Sequence, residues 1–300
     1  MRVNTGGRVL AVALGVSAAV AIRRRRIRWS ILDDPCGSEG LTLPEGELFT
    51  LHTDDGADLA VLVAGDGPVV VLPHCWTGGM SIWAPVARGL VAGGHRVVLY
   101  DQRGHGSSTL GTGPISIDRL GLDLAVVLER LDVNDVVLAG HSMGGMTIQA
   151  LAKVRSDVLA GRVSGVVLAS TAAHTGNLRV PPLAAKAFLG EARSRRLAKR
   201  PVSSDRRVVG AEVHRSHLEA TQAAMLATSG AARAGFLVAM SRMDYRPTLD
   251  NIQVPTRLLV GTRDALTPPR RARELNDGIR AARLDVLPDY GHMLPLEAPE

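Results

Sequence analysis

The sequence predicts an α/β fold: a mostly parallel, doubly wound sheet interrupted by a helical cap. Two observations carry that prediction. From about Leu59 onward, short Val- and Leu-rich runs alternate with longer helical patterns. Between about Ala172 and Pro247 the alternation stops and only helical patterns remain.

The strand candidates are Leu59–Val63, Val69–Leu72, Arg96–Tyr100, Val136–Ala139, Val166–Ala169, Arg257–Val260 and Arg283–Val286. Most are continuous apolar runs, as expected of strands covered on both faces of a parallel sheet. Between two of them Leu120, Leu124, Val127, Leu128 and Leu131 recur at helical spacing, so 117–131 reads as an amphipathic helix. Strands alternating with helices give the doubly wound class. In the interruption, Leu183–Leu197, His214–Ala227 and Ala231–Met240 read as helices, and no strand is expected there. The chain therefore divides into an N-terminal segment and linker (1–47), a core (48–171 with 249–300) and a helical cap (172–248).

Composition narrows the functional classes. The chain has 300 residues, 46% hydrophobic and 21% charged, which suits a globular protein rather than a disordered one. Aromatics make up only 3%, so Val, Leu and Ala must build the core. Two cysteines, Cys36 and Cys75, are too few for a disulfide scaffold and read as free thiols. The net charge of +6 is concentrated in two blocks, Arg23–Arg26 with Arg28, and Arg193 through Arg207. Neither block is interleaved with aromatics or set in a nucleic-acid module, so a nucleic-acid partner is not expected.

The apolar run Val9–Ile22 is closed by four arginines. As a helix its 14 residues span roughly 21 Å, short of the ~30 Å hydrocarbon core. Extending back to Thr5 reaches the required length if Arg8 snorkels. Charge placed after the run opposes export and puts the downstream domain in the cytoplasm. Residues 5–28 are thus expected to associate with a membrane, the catalytic domain being cytoplasmic; a poorly cleaved export signal, a surface helix or a misplaced start are the other readings. From Trp29 to Glu47, Pro35, Gly37, Gly40 and Pro44 mark a linker.

The strongest chemical signal follows Val136–Ala139, where Gly140-His141-Ser142-Met143-Gly144-Gly145 leads into a helical pattern, Met146–Val154. A nucleophile on a sharp strand-to-helix turn has a strained backbone, and flanking glycines let strand and helix approach. The serine hydroxyl needs a base, and the base an orienting acid. Sheets with such an elbow take acid and then base from later in the chain. Asp264 follows one late strand, in Gly261-Thr262-Arg263-Asp264, and His292 follows the last, in Tyr290-Gly291-His292. After Val166–Ala169, an alternative place for the acid, stand Ser170 and Thr171. An oxyanion needs two N–H donors. These are expected from the amides of Met143 and Trp76, the latter in Pro73-His74-Cys75-Trp76. His74 and His141 are expected at the substrate pocket. Asp101-Gln102-Arg103-Gly104-His105-Gly106-Ser107 reads as a structural turn. His214 and His217 share a helix face without a carboxylate at ligand spacing, so neither metal nor cofactor is implied.

From about residue 56 to its end the chain resembles the α/β-hydrolase superfamily, nearest to its esterase, lipase and haloperoxidase-like branch. The resemblance rests on His74-Cys75-Trp76, on 101–107, on His141–Gly145, on Gly261–Asp264, and on Gly291-His292 with Pro295-Leu296-Glu297. It implies a Ser142–Asp264–His292 serine hydrolase that cleaves carboxylic esters through an acyl-enzyme. The Ala-, Leu- and Met-rich cap with its basic helix and the apolar N-terminus point to lipid-like or apolar acyl groups. Perhydrolase or cofactor-free haloperoxidase activity, thioesterase activity and a non-catalytic receptor or scaffold are the alternatives. Serine rather than aspartate at 142 argues against epoxide hydrolase and haloalkane dehalogenase. Two departures stand out. Cys75 replaces a common glycine, and the final helix of such proteins lies beyond Glu300, so one part of the sheet is expected to be less covered.

Overall fold

A computed structural model describes residues 30–32, 40–189 and 208–300. The apolar run at 9–22, both arginine blocks and Cys36 lie outside the described residues.

The central sheet is built from β2 (Glu47–His52), β3 (Asp58–Ala64), β4 (Val69–Pro73), β5 (Arg96–Tyr100), β6 (Val136–His141), β7 (Val163–Ala169), β9 (Thr256–Gly261) and β10 (Ala282–Leu287). Its order is β10-β9-β7-β6-β4-β5-β3-β2. The first hairpin, β2–β3, and the β3–β5 pair are antiparallel, and every other pairing is parallel. The expected strands all form, mostly extended by a residue or two. β2 is an edge strand that sequence reading missed. Leu48 is 66% exposed while Phe49 and Leu51 pack inward, a weak alternation that the neighbouring linker signals masked.

Helices α2 (Ile117–Arg130) and α3 (Met143–Val154) pack against each other on one face, with Leu120, Leu124, Val127, Leu128, Ile148 and Leu151 in the main core. Ser116 caps α2 by accepting from the Arg119 amide at 3.0 Å. On the other face α1 (Ala84–Ala92) covers Leu72, Val97 and Leu99. Helices α4 (Ser156–Arg162), α8 (Pro269–Gly278) and α9 (Leu294–Glu297) complete the core.

The cap holds α5 (Pro182–Leu189), α6 (Arg215–Ala227) and α7 (Gly230–Met240). The expected helix over 183–197 is described only as far as Leu189. The expectation of a strand-free cap and an unstructured linker needs correction. β1 (Ser30–Leu32), within the linker, pairs in parallel with β8 (Glu212–His214), within the cap. Three-residue strands are too short to show a period of two, and each depends on a partner far away in sequence. The pair lies over an apolar cluster in which Ile31, Val213, Leu218, Cys75 and Met293 meet. Among the described residues no single helix is long and apolar enough to cross a membrane.

Candidate active site

Ser142 occupies the turn between β6 and α3 with φ +53° and ψ −113°, a left-handed conformation costly for a residue with a Cβ. Its surroundings leave it no alternative. Its amide donates to Ala169 O at 2.9 Å, and its carbonyl accepts from the Thr171 hydroxyl at 2.7 Å. A Cβ on Gly144 would lie 2.0 Å from Pro73 O, and one on Gly140 2.5 Å from Gly144 O. These glycines let α3 descend onto β4 and β6, and Ser142 is thereby raised above them. The helix begins at Met143, three residues earlier than its apolar pattern suggests. The Met143 amide is therefore the first N–H of a helix, a position without an intrahelical acceptor.

Asp264 and His292 arrive from the C-terminal ends of β9 and β10. His292 Nε2 lies 3.0 Å from Ser142 Oγ, and His292 Nδ1 lies 2.8 Å from Asp264 Oδ2. All three side chains are buried, Ser142 at 8% exposure, Asp264 at 3% and His292 at 4%. Asp264 is clamped by residues that sequence reading did not single out. Its Oδ1 accepts from the amides of Leu266 (2.9 Å) and Thr267 (2.8 Å), and its Oδ2 from the Thr267 hydroxyl (2.8 Å). The Asp-x-x-Thr spacing, a local side-chain-to-backbone turn, is the signal that could have revealed Thr267. Burial pushes the Asp264 carboxyl up, but the His292 charge and these hydrogen bonds prevail and hold it below the ordinary carboxylate range. An ionised Asp264 fixes the proton on Nδ1, so Nε2 is free to accept from the Ser142 hydroxyl.

Trp76 is half-buried and its indole N–H donates to Arg233 O at 3.2 Å. The next residue, Thr77, has φ +58°, a second strained backbone position among the residues that line the same cavity as Ser142. Cys75 is a buried free thiol, and burial pushes it up to about 12. Its thiolate form is correspondingly disfavoured.

His74 and His141 do not belong to the pocket. Both are fully buried behind it. His74 Nδ1 donates to Cys75 O (2.8 Å) while Nε2 accepts from the Gln102 amide (2.9 Å). Gln102 in turn donates to His74 O and accepts from the Thr147 hydroxyl, both at 2.6 Å. The ring thus fixes the loop that carries Trp76. His141 Nε2 donates to the main-chain oxygen of His292 at 2.7 Å. Burial lowers His74 to about 4, and burial with the nearby His292 charge lowers His141 to about 3. Sequence reading placed them at the pocket because they adjoin it in the chain; their side chains point the other way.

The 101–107 turn is structural, as its glycines suggest. Asp101 accepts from the amides of Met80 and Ser107, both at 2.9 Å, and so holds the two neighbouring loops. Fully buried Arg103 bridges Asp55 (2.7 Å) and Asp123 (2.5 Å). His214 and His217 stack edge to face at 5.0 Å, and no metal-type cluster of His, Cys, Asp or Glu occurs among the described residues.

Ser142 and His292 form the floor of a cavity of about 490 Å³. Its walls include Met146 from the core and Leu178, Val208, Met225, Leu237 and Met240 from the cap. Thr175, Thr221 and Ser241 supply uncharged polar groups.

Known proteins are similar to this chain over most of its length. The model of the alpha/beta hydrolase family matches residues 69–300. A 3-oxoadipate enol-lactonase from Acinetobacter baylyi is 27% identical over 260 residues, 84% of this chain and 92% of its own length. A non-heme haloperoxidase from Rhodococcus erythropolis is 27% identical over 252 residues, 79% of this chain and 90% of its own. The solved structure of an enol-lactonase from Burkholderia xenovorans LB400 superposes with a TM-score of 0.68 at 27% identity, covering 82% of this chain and 93% of that one.

Proposed function

Because this chain belongs to the alpha/beta hydrolase family and is a hydrolase, we propose that it cleaves neutral, apolar carboxylic esters through an acyl-enzyme on Ser142. The observation that carries the reading is the continuous chain Asp264 Oδ2–His292 Nδ1 (2.8 Å) and His292 Nε2–Ser142 Oγ (3.0 Å) at the floor of an apolar cavity.

His292 Nε2 takes the hydroxyl proton as Ser142 Oγ bonds to the ester carbon, and the carbonyl electrons move to oxygen. The amides of Met143 and Trp76 receive that oxyanion, each such donor being worth about 100- to 1,000-fold in rate. As the tetrahedral intermediate collapses, the carbon–alkoxide bond breaks and Nε2 gives its proton to the leaving oxygen. Water then attacks the acyl-enzyme, with Nε2 again as base, and releases the acid. Asp264, kept ionised by His292 and by the hydrogen bonds from Thr267, stabilises the imidazolium at both stages. Methionine and leucine walls favour an apolar acyl group, which they desolvate without presenting it with a charge.

The likeness to a haloperoxidase favours one second reading, in which hydrogen peroxide replaces water at the deacylation step and the product is a peracid. A membrane-tethered placement through residues 5–28 belongs to the same proposal, and fractionation of cells expressing the full chain tests it.

A fluorophosphonate probe and a series of p-nitrophenyl esters test the central reading. Labelling and turnover are expected in the wild type and not in Ser142→Ala. A wild type that neither labels nor turns over any ester would leave the protein as a ligand-binding member of the fold.

A further inference from the structure

The main chain of His292 is held from two sides, and one side belongs to the cap. Its carbonyl accepts from His141, beside the nucleophile, and its amide donates to Val208 O at 2.9 Å. Val208 opens the segment that leads through Gly210 into β8, and it also lines the cavity. The same two stretches are joined again where the Ala211 amide donates to Asp289 O at 3.1 Å.

Glu297, at the end of α9, ties this junction together. Its Oε2 accepts from the amides of Gly291 (2.8 Å) and Gly210 (2.7 Å), and its Oε1 from that of Met293 (2.8 Å). Two of those amides flank His292 and the third is in the cap segment. Both glycines are required by closeness. A Cβ on Gly291 would lie 2.3 Å from Val209 C, and one on Gly210 2.5 Å from Asp289 O and 2.6 Å from Glu297 Oε2. Backbone therefore packs on backbone, and a carboxylate half-buried between them satisfies amides that would otherwise have no acceptor. No step of the proposed hydrolysis uses Glu297.

We propose that Glu297 is a positioning residue that couples the cap segment 208–211 to the seating of His292, so that the base faces Ser142 only when the cap segment is docked. This rests on the serine-hydrolase reading for its rate effects but not for its geometry. With the segment docked, Glu297 holds Gly291 and Met293 and the imidazole is fixed at both ends of its loop. With the segment lifted, the His292 amide loses Val208 O and Glu297 loses Gly210.

The test uses the full chain with two substitutions, Glu297→Gln and Gly210→Ala. The first replaces one carboxylate oxygen by an NH2 group that cannot accept, while the other oxygen remains an acceptor; the second pushes the cap segment away without touching the triad. p-Nitrophenyl butyrate kinetics are measured well below each variant's own melting temperature. A displacement of the base by about 1 Å costs roughly 100-fold in rate. We therefore expect kcat to fall about tenfold or more, with KM changed by less than about threefold. The double variant should lose little more than either single one, since both break one junction. In parallel, proton NMR follows the downfield signal of the His292 Nδ1–H, which should broaden or vanish in both variants. A sharp, unshifted signal with kcat within twofold of wild type would overturn the coupling, as would losses that multiply in the double variant. If the wild type shows no turnover at all, the esterase reading fails, and the NMR signal still decides the positioning role. Should Glu297→Gln not fold, Gly210→Ala carries the test alone.

Discussion

Lowering the pH from 7.5 to 5.0 should destabilise this protein through three histidines that never contact the solvent. His74, His105 and His141 are all 0% exposed. Burial lowers them, from an ordinary 6.5, to about 4, about 3 and about 3 respectively. His105 donates from Nδ1 to Arg103 O at 3.0 Å, and its Nε2 has no partner to share an added proton with. At pH 5.0 the unfolded imidazole is almost fully protonated while the native one is still neutral. The unfolded chain then binds more protons, so stability falls as pH falls. The gap of 1.5 pH units below 6.5 is worth about 2 kcal/mol per histidine, or about 6 kcal/mol for the three. That figure depends little on whether a native value is 3 or 4, since both lie below the working pH. It is a large part of the 5–15 kcal/mol of a typical domain. Asp101, Asp123 and Glu297, whose carboxyls burial raises, act in the opposite sense and reduce the total. Asp264 and Asp55, which are lowered, lose their contribution only below the ordinary carboxylate range, outside this window. Urea unfolding at pH 7.5, 6.5 and 5.0 measures the effect. A loss of less than about 2 kcal/mol across the window would mean that the native state, at these histidines or at the raised carboxyls, takes up nearly as many protons as the unfolded chain, and would refute the reasoning.

Two substitutions probe the site itself. Asp264→Asn removes the charge that fixes the Nδ1 proton, and kcat should drop by about three to four orders of magnitude with KM little changed; stopped ester assays at saturating substrate read it directly. Gly144→Ala places a methyl 2.0 Å from the main-chain oxygen of Pro73, with backbone on both sides of the contact. It should abolish probe labelling of Ser142 and lower the melting temperature, and a well-folded, fully labelled variant would refute the close approach of α3 to β4.

The groups at the floor of the site were legible because each sits where a strand ends and the chain must turn. Glycine at 140 and 144 announces a close approach, and a serine between them has few structural reasons to be there. Asp264 follows the apolar run Leu258–Val260, and His292 follows a strand in which Leu284 and Val286 alternate with charged residues. What the sequence concealed was every residue acting through its partner rather than through its own pattern. Thr267 matters because the Asp264 carboxylate turns back onto it. Thr171 matters because its hydroxyl reaches the carbonyl of Ser142 across the turn. The β1–β8 pair joins residues about 180 apart in the chain, with three residues on each side, below the length at which periodicity registers. His74 and His141 show the converse error, since nearness in sequence to a pocket says nothing about which face of the turn a side chain takes.

The way His292 is suspended has a consequence for how such a protein changes its substrate. A cap inserted between β7 and β9 looks like a module that could be exchanged to reshape the cavity while the chemistry below stays fixed. Here the stretch of the cap just before β8 lends its Val208 carbonyl to the amide of His292 and its Gly210 amide to Glu297. The ring of His292 is set by Asp264 from the core, but its main chain is set by the nucleophile turn on one side and by the cap on the other. Leu178, Met225, Leu237 and Met240 line the cavity and can vary to reshape its wall, whereas buried Leu218 packs with Cys75 and Met293 below it. Residues 208–211 differ, because under the coupling proposed above a change in their path moves His292. On that proposal the shape of the cavity and the seating of His292 are separable at the wall residues of the cap and joined in the few residues before β8.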